Sequence, residues 1–239
     1  MAMGDESAAD PHAGAHPNPA ADPGQPPERV RAFYDAVARE YADQFADELD
    51  GKPMDRTLLE RFAADVGGAG PVYDLGCGAG GQTTAFLHAR GVDVRGMDLS
   101  PESMAEAARR HPPIRFQTGD MLALPLPDGA AAGIVAFYAI VHFSPDQLRT
   151  AIGEMGRVLR PGAPLLVAFH VGEEVVHVDE MFGRPASVDF RFYPVARVEA
   201  ALRDAGLGEV EAIVRDPYPG VEHPTRRAYV FARKPVEPG

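Results

Sequence analysis

Val72-Tyr73-Asp74-Leu75-Gly76-Cys77-Gly78-Ala79-Gly80-Gly81 is an apolar run that breaks into four glycines within six residues. The run reads as a buried strand, the glycines as a tight loop, and Gln82 to Arg90 as the helix that follows. Each glycine costs backbone entropy, and one suffices for a turn, so a loop this rich in them serves close approach of a ligand to the backbone. The helix N-terminus behind the loop adds free N–H groups that suit a carboxylate or phosphate. The loop therefore predicts a nucleotide-like cofactor. Gly76, Gly78 and Gly81 also satisfy the G-x-G-x-x-G of dinucleotide enzymes, which leaves NAD open at this point.

Outward from the loop, strands and helices alternate. Val92 to Asp98 reads as a second strand, Ser100-Pro101-Glu102 starts a helix running to Arg110, and Pro112-Pro113 stop it. Ile114 to Gln117 is a third strand, Ile134 to Tyr138 a fourth, Pro145 to Leu159 a helix and Pro164 to His170 a fifth strand. This alternation predicts an α/β, doubly wound, mainly parallel sheet with ligands at the strand C-terminal ends. Residues 171–193 interrupt it with a dense mixture of charged and aromatic residues and read as a substrate-side insertion. A helix from Pro194 to Ala205 and strands at about Val210 to Arg215 and Arg227 to Arg233 close the chain as a hairpin.

Upstream, residues 1–27 lack apolar periodicity and read as a disordered tail. Val30, Phe33, Val37, Tyr41 and Phe45 then recur at helical spacing through Leu49, and Pro53 opens a second helix with Met54, Leu58, Leu59, Phe62 and Val66 on one stripe. The two helices span residues 28–68 and are expected to form a lid. The domain proper is thus 28–239.

The chain of 239 residues is 45% apolar, enough for one substantial core. Its single cysteine, Cys77, excludes a disulfide framework and points to a reducing cytoplasm. The first ten residues do not resemble a secretory signal, and no apolar run approaches a membrane span. A net charge of −12 without a basic stripe argues against nucleic acid and for a small-molecule partner. His170, Glu173, Glu174 and His177 could chelate a metal, but Gly172 breaks the helix their spacing requires, so no metal is expected.

Acidic residues stand at the ends of three successive strands: Asp74, Asp98 and Asp120. A carboxylate placed like Asp98 can accept from both hydroxyls of a ribose. Together, Asp74-Leu-Gly-Cys-Gly-Ala-Gly80, Gly96-Met-Asp98-Leu-Ser-Pro-Glu-Ser-Met104, Gly119-Asp120-Met121 before the Leu124-Pro-Leu-Pro-Asp128 turn, and Arg157-Val-Leu-Arg-Pro-Gly162 resemble class I S-adenosylmethionine-dependent methyltransferases, from about Arg29 to Lys234.

That resemblance implies a seven-stranded Rossmann-like sheet whose last strand is antiparallel, with S-adenosyl-L-methionine as cofactor. Gly76, Gly78 and Gly80, with Cys77 as a small filler between them, would pack on the methionyl group. Asp98 would hold the ribose, Leu99 would lie against the ring, and Asp120 with the Met121 backbone would hold adenine. Tyr34, on the face of the N-terminal helix, and Tyr138, leaving the fourth strand, complete the expected cofactor contacts, while Tyr41 is assigned to packing.

His142 and His170, past the fourth and fifth strands, are the candidate catalytic bases, and Arg191 and Tyr193 are placed at the pocket entrance. Glu173, Asp179, Glu180 and Asp189 read as a solvated face. The resemblance implies methyl transfer to a small molecule in bacterial secondary metabolism, by a monomer or homodimer. The alternatives are a non-methylating cofactor-binding cyclase or regulator on the same fold, and an NAD-dependent oxidoreductase.

Overall fold

The computed structural model describes residues 16–17 and 24–236. The remaining residues of the expected tail, 1–15 and 18–23, lie outside them. Nine strands follow the first two helices: β1 (Val72–Leu75), β2 (Val94–Asp98), β3 (Arg115–Thr118), β4 (Gly133–Phe137), β5 (Pro164–His170), β6 (Val175–Met181), β7 (Arg184–Arg191), β8 (Gly208–Arg215) and β9 (Arg227–Arg233). The helices are α1 (Pro27–Gln44), α2 (Pro53–Val66), α3 (Gln82–His88), α4 (Pro101–Arg110), α5 (Pro145–Val158) and α6 (Val195–Asp204).

Seven strands form one sheet in the order β3-β2-β1-β4-β5-β9-β8. The first five are mutually parallel, whereas β9 runs antiparallel to β5, from Arg227 opposite His170 to Arg233 opposite Pro164. β4, β5 and β9 are covered on both faces and are accordingly continuous apolar runs. Period-two alternation divides their side chains between two cores. Ile134, Leu165, Val167 and Val230 pack with Leu148, Ile152 and Met155 of α5 and Leu202 of α6. Val135, Leu166, Tyr229 and Phe231 pack on the other face with Leu59 and Phe62 of α2 and Leu87 of α3. The strand order reverses between β1 and β4, which sets a crevice at their C-terminal ends.

The first helix ends at Gln44, earlier than its apolar stripe suggests. Leu49 is instead buried by a short 3-10 turn over Glu48–Gly51. Of the two N-terminal helices, α1 lies over the sheet's C-terminal edge, while α2 fills a layer against the sheet.

Residues 171–193 are built around the β6–β7 hairpin, turned at Phe182 and Gly183, both at positive φ. With His16–Pro17, which pairs antiparallel to β6, the hairpin makes a second small sheet. Val178, Met181 and Val188 pack there on Phe33 and Val37 of α1, so helix and hairpin together form a roof. Asp189 does not belong to the solvated face expected of it. It is 7% exposed, with its carboxylate 2.6 Å from His177 Nδ1 and 3.4 Å from Arg29.

Candidate functional site

A cavity of about 280 Å³ lies between the sheet edge and the roof. Its floor begins where β1 ends. The backbone N–H groups of Gly76 and Cys77 both donate to Met97 O, at 2.7 and 3.2 Å, which folds the loop back over β2. Gly76 has φ +69°, and a Cβ there would stand 2.4 Å from that of Ala139, so the exits of β1 and β4 touch only because this residue is glycine. Gly78, at φ +64°, donates its N–H to Asp98 Oδ2 at 3.0 Å, and Ser100 N–H donates to Oδ1 at 3.0 Å. Burial raises the pKa of the Asp98 carboxyl despite these donors.

Asp74, 1% exposed, accepts from Thr84 Oγ1 at 2.6 Å, but its Oδ1 is buried without a hydrogen-bond partner. Burial pushes this carboxyl up to about 7, opposed by the Thr84 hydroxyl and reinforced by Asp98. Asp120 Oδ1 accepts from Leu122 N–H at 2.8 Å beyond β3.

Asp74, Gly76, Cys77, Gly78, Asp98, Leu99, Asp120, Met121 and Tyr138 all line the cavity, whereas Gly80 does not. Gly80 faces away, with its carbonyl 2.9 Å from His111 Nε2. The residues present fit S-adenosylmethionine, a cationic nucleoside: an orphaned carboxylate oxygen, two further strand-end carboxylates and a glycine floor meet in one cavity wall.

On the roof side stands His142, in the 3-10 turn Ile140–His142 after β4. Its Nδ1 lies 2.9 Å from Asp189 O and its Nε2 lies 2.8 Å from the Tyr34 hydroxyl. Gln25 holds this corner with a side-chain amide that imitates a neighbouring strand. It donates to Asp189 O at 2.7 Å and accepts from Asp189 N–H at 3.0 Å. Only 3% of Gln25 is exposed, so the last residues of the expected tail are part of the folded site. Burial lowers the His142 pKa to about 4, against the pull of the Asp189 carbonyl. Burial also raises the Tyr34 phenol well above its ordinary value, aided by Tyr41 and Asp98.

At the opposite end, His170 stacks on Phe192 and has its Nδ1 2.7 Å from Thr225 Oγ1. Tyr138, at φ +54°, lends its ring to the wall while its hydroxyl donates to Asp55 Oδ1 at 3.0 Å. Arg191 and Tyr193 do not form an entrance. Arg191 Nε and the Tyr193 hydroxyl both donate to Phe143 O, at 3.1 and 2.5 Å, and so brace the segment that carries His142. Among the described residues no group of three His, Cys, Asp or Glu side chains is arranged to hold a metal ion, and no helix is long and apolar enough to cross a membrane.

Several wall residues were not singled out from the sequence as site residues: Gln25, Lys52, Glu222, His223 and Arg227, with Tyr41 expected only to pack. Tyr41 stands beside the loop, 3.6 Å from where a Gly78 Cβ would be. Its place on the same helical stripe as Tyr34 was the available signal. Lys52 is one of two lysines in the chain and is 4% exposed, but nothing local marks it as buried.

Residues 72–162 match the family described as a methyltransferase domain. A demethylmenaquinone methyltransferase of Beutenbergia cavernae is 37% identical over 145 residues, covering 59% of this chain and 58% of that one. The chain thus spans less than two thirds of the length of the curated relatives it matches. Among solved structures, the 1,6-didemethyltoxoflavin-N1-methyltransferase of Burkholderia thailandensis, with 1,6-didemethyltoxoflavin and S-adenosylhomocysteine bound, is similar with TM-score 0.67 at 20% identity, over 94% of this chain and 97% of that one. The (4+2)-cyclase SpnF is similar with TM-score 0.65 at 22% identity, over 89% and 97%. The fold is the one seen in S-adenosylmethionine-dependent methyltransferases, and residues 72–162 match a methyltransferase domain.

Proposed function

We propose that the protein transfers a methyl group from S-adenosylmethionine to a small, largely flat acceptor held under the α1 and β6–β7 roof. The observation that carries this reading is one cavity in which the glycine floor and Asp98 share a space with His142 and an aromatic roof. When bound, the cofactor supplies a methyl group on a cationic sulfur, open to in-line displacement. The chain's own part is to bind, align and exclude water. Asp98 and Asp120 would hold the nucleoside, and Asp74 would support the loop from behind through Thr84.

Tyr34, Phe137, Tyr138, Phe143 and Phe190 offer ring faces to the acceptor. The methyltransferases similar to this chain include ones named for demethylmenaquinone and 1,6-didemethyltoxoflavin, which supports a small organic acceptor here. Neutral His142 is the base nearest the roof for an acceptor whose proton must leave, and His170 is the second candidate.

The test is transfer of labelled methyl from S-adenosylmethionine to a panel of hydroxylated and amino aromatics, beside calorimetric titration with S-adenosylhomocysteine and NAD. Binding of S-adenosylhomocysteine but not NAD, with label on an acceptor, is expected. Likeness to a cyclase of this fold favours one second reading, in which S-adenosylhomocysteine binds and no acceptor gains label.

A further inference from the structure

The contacts around His142 fix the direction of every hydrogen bond in a chain that ends in the cavity. A backbone carbonyl can only accept, so the Nδ1 that lies 2.9 Å from Asp189 O carries the proton. Gln25 Nε2 also lies 3.1 Å from Nδ1, but a lone pair on Nδ1 would face those of Asp189 O at 2.9 Å, so the Gln25 hydrogens go to Asp189 O and to His142 O, 3.4 Å away, and Nδ1–H stays in place. Neutral imidazole with Nδ1–H has a lone pair on Nε2, and the Tyr34 hydroxyl 2.8 Å away must donate to it. Tyr34 Oη has then spent its only hydrogen. What it presents to the cavity is lone pairs alone, and Nε2 is covered by Tyr34.

We propose that Tyr34 is the acceptor-reading residue of this site: its Oη receives the hydrogen of an acceptor O–H or N–H, and its own hydrogen passes to His142 Nε2. The inference rests on the methyltransferase reading for its catalytic half only. In that half the acceptor X–H bond would break as an Oη–H bond forms, the former Oη–H bond would break as Nε2–H forms, and the acceptor's freed electron pair would bond to the methyl carbon as the methyl–sulfur bond breaks and its pair stays on sulfur. Tyr34 stays neutral, and the imidazolium returns its proton by the same route after product leaves. The recognition half follows from polarity alone. Where the methyl group replaces the only hydrogen on the acceptor atom, as in a hydroxyl, the product has none left to offer, so Oη meets it lone pair to lone pair and the site prefers substrate to product.

The experiment uses the full chain saturated with S-adenosylhomocysteine, and compares binding of 2-naphthol with that of its methyl ether, 2-methoxynaphthalene, by fluorescence. The wild-type protein should bind the naphthol about tenfold more tightly, the worth of one hydrogen bond. Tyr34→Phe should bring the ratio to about one. His142→Gln, whose amide oxygen still accepts from Tyr34, should keep it, whereas His142→Leu frees the hydroxyl to donate and should erase it. Equal binding of the two probes by the wild type, an unchanged ratio in Tyr34→Phe, or binding of neither probe overturns the proposal. Loss of methyl transfer to every acceptor with the preference intact would instead sink the methyltransferase reading and leave the recognition standing.

Discussion

His142 is held at about 4 by burial, so it is unprotonated from the acidic edge of the physiological range upward. If it is the final proton acceptor, kcat/KM should be level between roughly pH 5.5 and 8 and should fall only below about pH 5. A profile rising through the ordinary imidazole value of 6.5 would mean that another group is the base. Asp74 gives a stability prediction of the opposite slope. Its folded pKa is raised from 3.8 to about 7, so the folded chain holds a proton that the unfolded chain releases. The stability it contributes is fully present below pH 3.8 and is lost as pH rises through about 7. Asp74→Asn does not titrate, and its Tm should gain on the wild type across that interval. Equal shifts with pH in both proteins would show that Asp74 ionises freely. For Asp98→Ala, the loss of a charged hydrogen-bond acceptor of about 1.5–3 kcal/mol should weaken S-adenosylhomocysteine roughly 10- to 150-fold, read by calorimetry.

Between elements, α2 is fastened to the terminal hairpin by buried charge. Arg215 of β8 donates to Asp55 of α2 at 2.7 Å and to Glu222 in the β8–β9 connection at 2.6 Å, and the Tyr229 hydroxyl of β9 donates to Asp55 at 2.8 Å. Asp55 is fully buried and Arg215 is 8% exposed. Arg215→Met would leave Asp55 without its cation and should cost about 3–5 kcal/mol in urea unfolding. A loss under 1 kcal/mol would show that Tyr229 and water suffice. Elements of this kind mark where the sequence is legible. β5 and β9 could be read because strands covered on both faces are apolar through their middles, residues 165–169 in one and 228–232 in the other. The sheet-edge wall of the cavity was legible for a similar reason: Asp74, Asp98 and Asp120 each sit at a strand end a few residues from the glycines or turns that mark it, and all three line the cavity. The roof side of the cavity was not. Asp189 reads as a surface carboxylate until Arg29, 160 residues earlier, is brought beside it, and Gln25 carries no local mark of burial in a stretch without periodicity. Likewise the end of α1 was misplaced because Leu49 continues the apolar stripe in a 3-10 turn that periodicity cannot distinguish from helix.

At the scale of the whole molecule, the roof is made from chain that precedes the sheet and chain that follows β5, and it has an apolar cluster of its own. Phe33, Val37, Val178, Met181 and Val188 are separate from the two cores that hold the sheet. The β6–β7 hairpin pairs with itself and with His16–Pro17 rather than with any of the seven strands. Its ties to the rest are that cluster, the Gln25 amide and His142 Nδ1 on Asp189 O, Arg29 on the Asp189 carboxylate, Arg191 on Phe143 O, and exposed pairs such as Arg184 with Glu40. A unit with so small a core should open at lower free energy than the sheet, and an acceptor bound as proposed would enter a cavity walled on one side by that unit. Amide hydrogen exchange should therefore rank α1, β6 and β7 below β4 and β5 in protection. Val188→Ala, which removes a side chain buried to 0% exposure, should lower the opening free energy of the roof by about 1–2 kcal/mol. The protection of β4 and β5 should stay where it was. If the substitution speeds exchange in those strands by the same factor, roof and sheet unfold as one cooperative body, and entry to the site would have to run through some route other than opening of the roof.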